Sequence, residues 1–313
     1  MEGKWGSVGD AVGTTLEFKR RGTFEPITNM VGGGPFRLRP GEWTDDTSMA
    51  LCLATSLVEC GGFDARDQIE RYCRWMEEGY LSSNGRCFDI GRAVAAALRR
   101  FRQTGDPFSG DTDPRSAGNG SLMRLAPVVL FYHPDRAQMR HYAAESSRTT
   151  HSAPECLDAC RYFAELLSSA LAGDTKEEIL GFTPTLALPR QGGGGSGVPH
   201  QGGGDGLVIG ARAIRDIADG KYRGKTREEI RGSGYVVECL EAALWCFATT
   251  GSFREAILEA ANLGDDADTT AAVCGQIAGA YYGVDAIPQA WRERLVMADE
   301  IAALAERFCR GRV

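Results

Sequence analysis

The chain has no apolar run approaching the roughly 18 residues that a membrane-spanning helix needs. It has no basic excess either. A formal net charge of -7 argues against a general binder of nucleic acid or of acidic membrane surfaces. The opening residues, Met1-Glu2-Gly3-Lys4-Trp5, lack the basic-then-apolar pattern of a secretion signal, so a soluble cytoplasmic protein is expected. No Cys-x-x-Cys pair occurs among the 10 cysteines. Most of them, such as Cys52, Cys239, Cys246 and Cys274, fall within helical patterns and read as reduced thiols filling a core. Cys156 and Cys160 are one helical turn apart but have no nearby histidine or cysteine partner, so they too read as core rather than as metal ligands. No phosphate loop ending in Gly-Lys-Ser/Thr is present, and no run of alternating apolar and polar residues marks a sheet.

What the chain does have is 313 residues, 43% of them hydrophobic, enough to bury a sizeable core. Helical periodicity covers about 64–79, 90–102, 122–130, 150–171, 207–219, 234–248, 252–262 and 289–309, which makes the fold class all-α. Residues 181–206 break the composition with runs of glycine and read as a flexible insert between helices. Sites must then draw on both sides of it.

Two stretches concentrate acids where a loop enters an apolar helix. One is Thr44-Asp45-Asp46-Thr47, and the other is Leu263-Gly264-Asp265-Asp266-Ala267-Asp268-Thr269. Either would serve as a helix cap, since Asp and Thr favour that position. If they met in space, their crowded carboxylates and hydroxyls would form an all-oxygen set suited to Mg²⁺ or Mn²⁺, and to two ions better than one. After the second stretch, Ala267, Ala271, Gly275, Gly279 and Gly283 recur at every fourth position, a ridge that lets another helix come very close.

Other positions read two ways. Glu17, between Leu16 and Phe18, is a partly buried carboxylate or an exposed acid near a helix end. Asp89 caps the helix it precedes or serves a site. Gly118-Asn119-Gly120-Ser121 is a turn that would let a phosphate approach free N–H groups, or an ordinary loop. His151 is a ligand-binding imidazole, a cap or a surface group, and Tyr235 after Gly234 is a stacking residue or an interior aromatic.

Taken in order, Gly9-Asp10-Ala11 with Glu17, Trp43-Thr44-Asp45-Asp46-Thr47, Gly118-Asn119-Gly120-Ser121 with Met123-Arg124, Thr150-His151 and the second acid stretch resemble the ADP-ribosylglycohydrolase family over nearly the whole chain. The resemblance implies one all-helical domain over 1–313, an orthogonal bundle around a dinuclear Mg²⁺ or Mn²⁺ centre, with the glycine-rich insert away from the site. It implies metal ligation by Thr44, Asp45, Asp46, Asp266, Asp268 and Thr269, with Asp265 in support. Glu17 and Asp89 take catalytic roles, and Gly118, Asn119, Gly120, Ser121, His151, Gly234 and Tyr235 line the ADP-ribose pocket. The implied reaction is metal-dependent release of ADP-ribose from a modified protein, with N-linked arginine first. The alternatives are an O-linked (serine-type) or small-molecule linkage, and a relative that binds ADP-ribose without hydrolysing it. A monomer is expected.

Overall fold

In the computed structural model, residues 4–186 and 207–310 are described. Most of the glycine-rich stretch, 187–206, lies outside the described residues, and so does its expected flexibility. The helices are α1 (Trp5–Gly13), α2 (Asp45–Cys60), α3 (Ala65–Glu78), α4 (Arg92–Thr104), α5 (Ala126–Tyr132), α6 (Arg136–Arg148), α7 (Pro154–Leu171), α8 (Lys176–Leu180), α9 (Arg212–Ala218), α10 (Val236–Thr249), α11 (Phe253–Ala261), α12 (Ala267–Tyr282), α13 (Gln289–Arg294) and α14 (Ala298–Arg310). The fold is all-α. Among the described residues, its only paired strands are the two-residue β1 (Thr185–Leu186) and β2 (Val208–Ile209), parallel to each other.

The expected boundaries move where local chemistry overrides periodicity. Proline favours the first turn of a helix, because its missing N–H is not needed there. Pro127 therefore starts α5 at Ala126 rather than at 122, and Pro154 starts α7 beyond Thr150 and His151. Residues 207–211 enter β2 and a turn, so α9 begins only at Arg212. The expected last helix is cut in two. Val296 N donates to Gly41 O at 3.0 Å and Val296 O accepts from Trp43 Nε1 at 3.2 Å, which draws the chain out of the helix between α13 and α14. Helix α6 was not anticipated, although Asp135 is an ordinary N-cap that accepts from Gln138 N.

Helix α12 is the axis of the core, and every residue from Ala267 to Gly279 is buried. A helix enclosed on all sides must be apolar or small all round. Its small-residue ridge meets α1. A side chain at Gly9 would overlap the carbonyl of Ala271, one at Gly13 that of Ala267, and those at Gly275 and Gly279 would collide with Trp5. Gly283, the last of the series, instead ends the helix at φ +78°.

Beyond the polar first turn of Asp268, Thr269 and Thr270, one more polar side chain is built into this axis. Gln276 Oε1 accepts from Ala126 N at 2.8 Å, while its Nε2 donates to Met123 O at 2.7 Å and Leu122 O at 3.2 Å. It thereby satisfies the start of α5 and fixes the turn that follows Gly118–Ser121. Gln276→Leu would leave the N–H of Ala126 and the carbonyl of Met123 without partners, while Leu122 O would keep Leu125 N. Urea unfolding should show a loss of about 3 kcal/mol with an unchanged slope.

Candidate metal centre and substrate cleft

Helices α2 and α12 begin beside each other, and each is capped from outside its own segment. Thr44, the N-cap residue of α2, offers no side-chain acceptor to its helix. Asp10 of α1 supplies it. Thr44 N donates to Asp10 Oδ1 at 2.9 Å and Thr47 N to Oδ2 at 3.1 Å. The hydroxyls of Thr44 and Thr47 donate to the same carboxylate at 2.9 and 2.7 Å. At α12, Glu17 Oε2 accepts from Ala267 N at 2.8 Å and from Asp268 N at 3.5 Å. Glu17 is thus a buried carboxylate, not an exposed acid. Asp10 and Glu17 thereby fill these cap positions, and of the stretches' own carboxylates Asp268 still accepts from Thr269 N at 2.8 Å.

Those carboxylates converge instead. Thr269 Oγ1 donates to Asp46 Oδ2 at 3.2 Å, joining the two stretches. Asp46 Oδ1 is buried and has no hydrogen-bond partner. One oxygen each of Glu17, Asp266 and Asp268 lie within 4.8 Å of one another. Asn119 Nδ2 donates to Asp266 Oδ2 at 2.9 Å and so fixes that carboxylate. Burial, then the Asp268 charge, raises Asp10 and Asp266 to about 7. Burial, then the Asp45 charge, raises Asp89 to about 11. Glu17, Asp45 and Asp46 are pushed well above the usual carboxylate range, by burial first and by neighbouring carboxylates next. Acids that raise one another in this way are short of positive charge. A buried orphan oxygen within an all-oxygen donor set fits hard divalent cations.

The cluster forms part of the wall of a cleft of about 950 Å³, to which Glu17, Asp45, Asp89, Asp266, Asp268 and Thr269 contribute. The turn Gly118–Gly120, His151, Gly234 and Tyr235 line the remainder. Among the described residues, the N–H groups of Gly120 and Ser121 find no acceptor. A cleft of this size takes a ligand as large as a dinucleotide.

The sequence profile of the family described as ADP-ribosylglycohydrolase matches residues 6–313. The chain belongs to the ADP-ribosylglycohydrolase family. It is 43% identical over 305 residues to the ADP-ribosylarginine hydrolase Tri1 of Serratia proteamaculans, covering 96% of this chain and 76% of that protein. It is 30% identical over 299 residues to the ADP-ribosyl-[dinitrogen reductase] glycohydrolase of Rhodospirillum rubrum, covering 93% and 87%. A solved structure titled ADP-ribosylglycohydrolase-related protein complex superposes with a TM-score of 0.78 at 42% identity, covering 98% of this chain and 95% of that one.

In this glycohydrolase-family fold the remaining candidates fall into place unevenly. Asp89 does not cap α4, whose N-cap is Gly91; it stands in the cleft wall at φ +59°. His151 is neither cap nor surface group. It is buried, its Nδ1 lies 2.8 Å from Thr150 Oγ1, and burial and the Arg124 charge lower it to about 3, so it is neutral. The glycines of the turn make room for it: a Cβ on Gly120 would come within 2.8 Å of His151 Cε1. Tyr235 is on the rim, where its hydroxyl donates to Glu155 at 2.8 Å. Ser121 turns its side chain into the core and accepts from Cys160 Sγ at 3.5 Å. Asp265 is exposed and contributes backbone only, donating to Lys19 O and accepting from Phe18 N. Cys156 and Cys160 are buried core residues.

Asp10 and Arg124 were not singled out as site residues. The signal for Asp10 was an acid between Gly9 and Ala11 in an otherwise apolar helix. Arg124 is buried, with Gly120 O at 2.7 Å and Thr150 Oγ1 at 2.6 Å, and so braces the turn against the histidine segment.

The folded chain holds protons on Asp10 and Asp266 up to about pH 7, whereas the unfolded chain releases them near 3.8. The stability this contributes is present at low pH and lost as pH rises through the folded values. In chelator, Tm should therefore fall between about pH 4 and about pH 8. Saturating Mg²⁺ should flatten that fall, and Asp46→Asn should abolish the Mg²⁺ effect.

Proposed function

We propose that this chain hydrolyses the bond between ADP-ribose and an arginine side chain of a modified protein, with two divalent cations, Mg²⁺ or Mn²⁺, held in the acidic cluster. The observation that carries the reading is the meeting of the two acid stretches in the wall of a cleft large enough for ADP-ribose. The activities for which the relatives from Serratia proteamaculans and Rhodospirillum rubrum are named support the reaction, and the first of them supports arginine as the linkage.

Thr44, Asp45 and Asp46 would hold one side of the metal centre and Asp266, Asp268 and Thr269 the other, with Glu17 beside them. When bound, such cations acidify a water and hold the ribose hydroxyls. The protein's own groups do the rest. The free N–H groups of Gly120 and Ser121 receive the diphosphate, a role for which unpaired backbone donors are suited. Asn119 and Glu17 keep Asp266 and the start of α12 in register. Asp89, in the cleft wall, would be ionised once the cations offset the neighbouring carboxylates, and it then takes the proton from the attacking water as the water's oxygen bonds to C1″. The C1″–N bond breaks with its electron pair on nitrogen, and the departing guanidine takes the proton that Asp89 collected from the water and leaves as guanidinium. Positive charge that develops on the ribose is offset by the surrounding carboxylates.

No helix among the described residues is long and apolar enough to cross a membrane.

Released ADP-ribose, measured from arginine-linked and serine-linked peptides with Mg²⁺ and with chelator, tests this reading. Release from the arginine peptide should depend on the cation and fall at least about 100-fold in Asp46→Asn and Asp266→Asn. Asp89→Asn should lower kcat by about 10²-fold or more without weakening ADP-ribose binding. Full activity in Asp46→Asn and Asp266→Asn would sink the metal centre. Binding of ADP-ribose without release from either peptide would make the protein a reader.

A further inference from the structure

Phe18 follows Glu17 directly and is 68% exposed, although it is a large apolar side chain. Its backbone sits at φ +60°, a conformation that side chains rarely adopt. Two backbone hydrogen bonds hold it there: Phe18 N donates to Asp265 O at 2.7 Å, and Asp265 N to Lys19 O at 2.8 Å. Asp265 is itself at φ +58°. This strained pair sets the Phe18 ring on the cleft wall. Phe36 packs against it edge-on at 6.2 Å, and Phe88, which precedes Asp89, lies 5.3 Å from Phe36. Phe36 and Phe88 are each followed by a residue in the same left-handed conformation, Arg37 at +55° and Asp89 at +59°. An exposed aromatic on strained backbone adds nothing to folding. Strain of this kind persists where a site requires it.

We propose that Phe18, backed by Phe36 and Phe88, receives the guanidinium of the modified arginine and makes the cleft selective for cationic linkages. The proposal rests on the arginine-directed reading above and adds the residue that enforces it. An aromatic face attracts cations, and the planar guanidinium stacks on it better than a compact ammonium does. The ring shares the cleft wall with Glu17 and Asp89, the carboxylates beside which the bond to ADP-ribose would be cut. Adenine is neutral and gains nothing from those carboxylates, so the charge of the surroundings favours the guanidinium as occupant. A serine-linked substrate presents a neutral oxygen there and makes no use of the π face. Phe18 is thus a specificity-determining residue for the leaving side chain and does not contact the ADP-ribose half.

Three variants separate the π face from mere bulk: Phe18→Leu, Phe18→Tyr and Phe36→Leu. Steady-state kinetics are measured on arginine-linked and serine-linked ADP-ribosyl peptides, and ADP-ribose binding by calorimetry. Phe18→Leu should lower kcat/KM on the arginine peptide about 10-fold. Phe18→Tyr should stay within about twofold of wild type, and Phe36→Leu should fall between them. ADP-ribose Kd and any turnover of the serine peptide should not change. Wild-type turnover of the arginine peptide by Phe18→Leu overturns the proposal. So does an equal loss on both peptides, or a loss of ADP-ribose affinity matching the loss in kcat/KM. If the wild-type protein releases nothing from the arginine peptide, the arginine-directed reading fails and this proposal with it. If the wild type cleaves and the variants cleave equally well, only this proposal fails.

Discussion

Asp10 and Glu17 each cap a helix to which they do not belong, and the arrangement of the site follows from that. The starts of α2 and α12 carry free N–H groups that their own aspartates would ordinarily satisfy. With Asp10 bonded to Thr44 and Thr47, and Glu17 to Ala267, Asp46 and Asp266 are released toward the site, while Asp268 still accepts from Thr269 N. The arrangement demands that the first helix lie almost in contact with α12. Gly9 and Gly13 permit that approach, because a side chain at either would strike the α12 backbone. Small residues, close packing, capping from outside and freed carboxylates therefore form one causal sequence.

The cost of this sequence is electrostatic. Asp10, Glu17, Asp45, Asp46, Asp89 and Asp266 are all raised, and the charges that face them are mostly other carboxylates. A fold that buries such a set gains stability only with protons or cations. Protons suffice at low pH, and near neutrality cations take over. The hydrogen-bond economy agrees. Asp10 has four donors within 3.1 Å, as a structural carboxylate should, whereas Asp46 keeps one buried oxygen without any.

The acid stretches were legible in the sequence because three acids in four positions at a helix start exceed what capping needs. Their meeting was not legible from either alone, since they lie on opposite sides of the glycine-rich stretch. The small-residue ridge of α12 was legible as period four, but its partner α1 was not, because glycine pairing between distant helices leaves no local trace. Helix α6 escaped because its apolar face is narrow and only its Asp135 cap marks it. His151 was ambiguous for a tertiary reason: the space it fills is made by Gly118 and Gly120, thirty residues away.

Two parts of the cleft wall differ in kind although they touch, since Asn119 Nδ2 of the turn donates to Asp266 Oδ2 at 2.9 Å. The turn Gly118–Ser121, braced by Arg124 and a neutral His151, offers backbone donors, chemistry that suits phosphate. Beside it the carboxylates and the Phe18 ring offer negative charge and a π face, chemistry that suits a cation. For the substrate proposed above, the diphosphate would belong on the first surface and the guanidinium on the second. The contact between the two surfaces would then set the glycosidic bond against the carboxylates without any group having to recognise the bond itself.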